Sequence, residues 1–122
     1  MDNHAIVMAN GAGEIQGWSR GAEKLFGHTA AEALGKTLDL IVPEDFREQH
    51  WNGFRHAMDA GSANLDGQST EIPVKCRDGS VTVFPGAFML LRNAQKQVIG
   101  AMVILPRFNG RPKGGRSVSG TS

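Results

Sequence analysis

The sequence predicts an α+β fold: one five-stranded antiparallel sheet with short helices packed on one face, in the order ββαααβββ. Three observations carry this prediction. Runs of β-type residues stand at Ala5–Ala9 and Glu14–Trp18, and again at Ser69–Cys76, Val81–Leu91 and Val98–Leu105. Between these two groups the apolar spacing changes to a helical period, broken by capping residues. The strand connections are short and carry Gly, Asn or Asp, as antiparallel neighbours allow.

Taken in order, Ala5–Ala9 is stopped by Asn10-Gly-Ala-Gly13, and Glu14–Trp18 returns as the second arm of a hairpin. Ser19 caps a helix through Gly21-Ala-Glu-Lys-Leu-Phe26, closed by Gly27. Thr29-Ala-Ala-Glu32 has capping-box spacing and opens a second short helix, with Leu34 inside and Gly35 at its end. Pro43 suits the first position of a third helix, Glu44 and Asp45 complement its positive end, and Gly61 sits where its C-cap belongs. A linker-like rise over Gly61–Gln68 leads to the third strand, and Arg77-Asp-Gly79 is a hairpin turn. Pro85-Gly86 makes the fourth strand irregular, which argues for an edge, a bulge, or a gap in the ladder beside a pocket.

A chain of 122 residues holds one core, here residues 1–106, followed by a flexible Gly/Ser/Arg tail at 107–122. With 13 basic and 12 acidic residues interspersed, the net charge of +1 makes no case for nucleic acid as a partner. No apolar run approaches the roughly 18 residues of a membrane span, and Met1-Asp-Asn-His does not open a signal peptide. The single Cys76 forms no internal disulfide, which makes a reducing cytoplasm the expected compartment. Cys76 lies before a turn with no CxxC partner and is expected to be an inert strand residue. No coiled coil, kinase motif or helix-turn-helix follows Leu105.

The most informative residue is His50. At about 100° per residue, Phe46, His50, Phe54, Ala57 and Met58 fall on one stripe of the third helix. An imidazole therefore stands among core-facing residues. There it needs a hydrogen-bond partner, a metal or a cofactor. Short helices over a sheet leave space between the layers for such a ligand.

Several motifs together resemble a PAS domain over residues 5–106. Gly21-Ala-Glu-Lys-Leu-Phe-Gly27 is similar to the PAS stretch N-x-A-A-E-x-L-F-G. Ala31-Glu-Ala-Leu-Gly35 with Leu40-Ile-Val-Pro43 resembles E-A-L-G … L-I-P, and Arg77-Asp-Gly79 the R-D-G hairpin. The resemblance implies a sensory and interaction module that does no chemistry on a substrate.

Within PAS, Pro43–His50 is similar to the heme-binding oxygen sensors of the FixL and direct-oxygen-sensor kinds. That likeness implies His50 as proximal ligand of a b-type heme, with Phe54 beside it and a diatomic gas (O2, CO or NO) at the open iron position. Thr70 and Gln68 stand where those sensors place their distal arginine and methionine; both can donate a hydrogen bond and neither is cationic. His56 and Asn64 stand at propionate positions, although His56 points about 120° from His50 on an ideal helix. Gly86 and Phe88 match distal wall positions. The implied partner is a second copy, or another PAS domain of a signalling protein.

A similar His-Trp pair also occurs in PAS domains without an established cofactor. The competing reading is therefore a cofactor-free interaction module, or a sensor of a small apolar metabolite. Non-covalent flavin is a further alternative, with Trp18 and Trp51 near a pocket; the cysteine-based photochemistry of LOV domains has no cysteine in the helical half. Glu44, Asp45 and Glu48 cluster at a helix start, where the dipole accounts for them. There is no GxGxxG after a strand and no P-loop, and no enzyme is expected.

Overall fold

A computed structural model describes residues 4–62, 67 and 69–106. The tail at 107–122, Asn64 and Gln68 lie outside the described residues. The strands are β1 (Ala5–Asn10), β2 (Ile15–Trp18), β3 (Ser69–Lys75), β4 (Val81–Arg92) and β5 (Val98–Leu105). The helices are α1 (Arg20–Phe26), α2 (Ala30–Ala33) and α3 (Arg47–Ala60), with 3-10 turns at Leu38–Leu40 and Glu44–Phe46. The strands form one antiparallel sheet in the order β2-β1-β5-β4-β3, which puts the last of the described strands at its centre.

Local chemistry explains the first two helices. The Ser19 hydroxyl accepts from the Ala22 amide, and Gly27 closes α1 in the left-handed region at φ 93°. Thr29 and Glu32 form a complete capping box for α2. That helix is shorter than the sequence predicts: Leu34 is its C-cap with an extended backbone and stands exposed.

The third helix departs from expectation at its start. Pro43 is buried and extended, and it precedes the 3-10 turn instead of opening a continuous helix. The Phe46 amide donates to the Pro43 carbonyl at 2.9 Å, closing that tighter turn before α3 begins at Arg47. Phe46 is consequently 36% exposed, while Phe54 and Ala57 of the same stripe are buried. Gly61 caps α3 as the sequence predicts.

Helices and sheet share one core. Ala5, Val7 and Ala9 of β1 alternate inward with Leu105 and Ala101 of β5, Leu90 and Phe84 of β4, and Val74 of β3. Phe26 of α1 meets Trp18 at 5.7 Å and Phe84 at 5.6 Å between ring centroids, both edge-to-face. The Trp18 indole donates to the His28 carbonyl at 2.9 Å, which ties the α1–α2 connection to β2. Arg77 of the β3–β4 turn pairs with Glu32 at 2.6 Å and fastens α2 to the same end of the sheet.

The irregular dipeptide in β4 has a definite cause. β5 pairs with β4 only from Ala87 onward, so at Pro85 β3 is the one strand neighbour among the described residues. An imino nitrogen costs no ladder bond on the side where no strand is paired. Gly86 has a packing role: a Cβ there would stand 2.9 Å from the Ile104 carbonyl oxygen and 3.1 Å from Leu105 Cγ. Gly86→Val is expected to destabilise the fold by about 1–3 kcal/mol through overpacking. Urea unfolding checks this, and an unchanged midpoint would contradict the close approach.

Candidate functional site

One turn before Phe54, α3 places His50 over the inner face of the sheet. The imidazole stacks on Phe54 at 6.0 Å with 27° between planes, and meets Trp51 edge-to-face at 4.9 Å. His50 is half-buried, yet its Nδ1 is fully shielded from solvent and finds no hydrogen-bond partner among the described residues. Burial pushes its proton affinity below the usual histidine range, opposed by the carboxylate of Asp39. The neutral imidazole is therefore favoured at neutral pH, which is the form a metal takes.

The imidazole borders a cavity of about 620 Å³ between α3, the two 3-10 turns and the sheet. Such a volume is within the range of small-molecule and cofactor sites. Its walls are mainly aliphatic and aromatic: Leu38 and Ile41 on one side, Ile72 and Phe88 on the sheet, Val103 from the central strand. Polar atoms are few, from Gln49, His50, His56, Ser62 and Thr70.

The structure brings together five of the residues singled out in the sequence. His50, Phe54, His56, Thr70 and Phe88 all line this one cavity. His56 is exposed and stands at its rim, as its angular offset on the helix requires. Gly86 stands outside the lining and is buried under β5, so the space it leaves is filled by backbone and Leu105. Asn64 and Gln68 lie outside the described residues.

The wall formed by Leu38, Ile41 and Val42 has no counterpart in the sequence expectations, although their i, i+3, i+4 spacing is a helical-face signal. Nor do those expectations include the bond from Trp51 Nε1–H to Asp39 Oδ1, 2.7 Å long. It joins residues twelve apart, and no local pattern marks it.

These residues fit a heme. A macrocycle brings four of its iron's ligands and takes one imidazole from the protein, and here the His50 imidazole, kept neutral by burial, borders an apolar space. Among the described residues no cluster of three or more His, Cys, Asp or Glu could hold a bare metal ion. Cys76 is half-buried one residue past the end of β3, with its thiol pushed up by burial.

The lowered proton affinity of His50 has a consequence for stability. Its folded-state pKa lies below the ordinary value of 6.5, so the unfolded chain binds more protons as pH falls through that value. This contribution to stability is present above 6.5 and declines as pH drops below it. Chemical denaturation at about pH 7.5 and about pH 5.5 should show a larger loss in the wild type than in His50→Ala. Equal losses would mean that the imidazole titrates as it does in water.

No helix among the described residues is long and apolar enough to cross a membrane. The oxygen sensor protein DosP of Escherichia coli (strain K12) is 34% identical over 74 residues, which are 61% of this chain and 9% of that protein. The sensor protein FixL of Bradyrhizobium diazoefficiens is 32% identical over 81 residues, 66% of this chain and 16% of that protein. The chain therefore spans less than a fifth of either relative. Among solved structures, the PAS domain of a protein from Colwellia psychrerythraea superimposes with a TM-score of 0.71 at 22% identity, covering 90% of this chain and 86% of that one. The PAS fold family matches residues 3–107, which take in the whole sheet and every helix above it: the chain belongs to the PAS family.

Proposed function

We propose that this PAS domain is a sensory module that holds one b-type heme through His50 and responds to a diatomic gas or to redox state. The observation that carries the reading is the neutral imidazole of His50 at the wall of an apolar cavity of about 620 Å³. The likeness to two sensor proteins, one named an oxygen sensor, supports it. When bound, a heme supplies an iron with one open coordination position for O2, CO or NO.

Each residue then has a task. His50 presents an uncharged nitrogen donor, kept neutral by burial. Phe54 stacks on it and restricts its rotation. Phe88 and Ile72 keep water from the sheet side, and Thr70 offers a hydroxyl there as a hydrogen-bond donor. A hydroxyl stabilises a polar bound ligand less than a cationic donor does, which favours CO and NO relative to O2. His56, exposed at the rim, suits the carboxylates of a porphyrin edge.

The test is the ultraviolet–visible spectrum before and after adding about one equivalent of hemin. A sharp Soret band that shifts with dithionite and then CO, and is lost in His50→Ala, is the expected result. The almost wholly apolar lining favours a second reading, a small apolar metabolite. A protein that stays colourless and takes hemin without specificity would move the assignment there, and a flavin spectrum would move it to redox sensing.

The sheet provides the output. Val7, Phe88 and Val103 line the cavity, so their strand neighbours Met8, Met89 and Met102 face the opposite side. These methionines are in register across β1, β5 and β4. The row carries no charge and has the same residues in both directions. Two copies related by a two-fold axis at Met102 set Met8 against Met89 with no like charges opposed. Thioether side chains suit such an adaptable contact. Met102→Asp is expected to shift the domain from dimer to monomer in light scattering; a monomeric wild type would remove this surface as the point of contact.

A further inference from the structure

Trp51 connects the cavity to the rest of the fold. Its ring rests on Gly13 of the β1–β2 turn, where φ is +81° and a Cβ would overlap the indole. Its Nε1–H donates to Asp39 Oδ1 at 2.7 Å. Its ring meets His50 at 4.9 Å and Phe54 at 5.4 Å. Asp39 belongs to the 3-10 turn that follows α2, and the neighbouring Leu38 amide donates to the Gly13 carbonyl at 3.0 Å. Arg47 reaches the same turn from the first residue of α3, donating to the carbonyls of Asp39 and Val42, each at 3.2 Å. Hairpin, 3-10 turn and helix meet at one carboxylate and one indole.

His50 has no comparable anchor. Its Nδ1 makes no hydrogen bond among the described residues, so ring contacts with Trp51 and Phe54 are what hold its plane. A ring contact orients an imidazole only as well as the other ring is itself held. Phe54 is held by the core. Trp51 is half-buried, and its position is set by the bond to Asp39 and by the room that Gly13 leaves.

We propose that Asp39 and Trp51 are positioning residues for His50, acting as a pair that holds the imidazole in the orientation its ligand requires. What this does for heme rests on the heme reading above; the orientation itself can be tested without heme. Three variants separate the parts. Trp51→Phe keeps a ring and removes the N–H. Asp39→Ala removes the acceptor. Asp39→Asn keeps an oxygen acceptor in place and removes the charge.

In hemin-free protein with isotope-labelled histidine, the His50 ring signals are identified by their loss in His50→Ala. Trp51→Phe and Asp39→Ala should shift and broaden those signals, and Asp39→Asn should restore them close to wild type. The Phe26 and Phe84 ring signals should stay constant throughout, reporting an intact core. With hemin as probe, the first two variants should bind about tenfold more weakly and Asp39→Asn within about threefold of wild type, as expected for a hydrogen bond to an ionised acceptor. His50 ring signals that remain unchanged in both Asp39→Ala and Trp51→Phe would overturn the proposal, whatever hemin does. If the wild type takes no hemin specifically, the heme reading fails while the ring signals still decide the role of the pair.

Discussion

The site depends on a gap that stays open between two layers. At one end the aromatic contacts of Trp18, Phe26 and Phe84 hold α1 against the sheet, and the Arg77–Glu32 pair fastens α2 nearby. Further along, α3 buries only Phe54 and Ala57, and α2 and the two 3-10 segments between α1 and α3 are single turns. Short helices present few side chains per unit of sheet, and close packing cannot be completed with them. What remains is the apolar cavity, bordered by a 3-10 turn instead of a full helix.

That geometry explains the chemistry of His50. An imidazole in water is shared between two protonation states near neutrality. Here desolvation favours the neutral one, while Asp39 limits the shift. Because the shielded Nδ1 has no partner among the described residues, its desolvation is uncompensated by them. An ordered water bonded to Nδ1 would offset that deficit. The same apolar walls that depress the proton affinity also exclude competing solvent from a flat hydrophobic guest.

If the cavity takes a guest, as proposed, the strands are the route by which its occupancy would reach the rest of the fold. In an antiparallel strand, adjacent side chains point to opposite faces, so any displacement of Val103 by a guest moves Met102 and Ile104 with it. β5 is central and pairs with both β1 and β4, so a shift in it would reach both neighbours at once.

Much of the architecture was legible in the residues. The β-type runs of β1 and β5, the caps at Ser19, Thr29 and Gly61, and the Asp-Gly turn are local signals, and each reappears as expected. The inward stripe of α3 was equally readable, since periodicity depends only on helix geometry. Boundaries governed by competing local bonds were not: the 3-10 turn at Glu44–Phe46 moved the helix start from Pro43 to Arg47. The resemblance put Gly86 on the distal wall of a pocket, and the approach of Ile104 and Leu105 gives it a packing role outside the lining instead. By itself, then, the sequence determined the order of elements and the face on which His50 stands, because these follow from nearest neighbours along the chain. The tertiary structure alone decided that Trp51 reaches Asp39 and Gly13, and that Leu38 and Ile41 wall the cavity. Those contacts join segments whose separation in sequence carries no periodic trace.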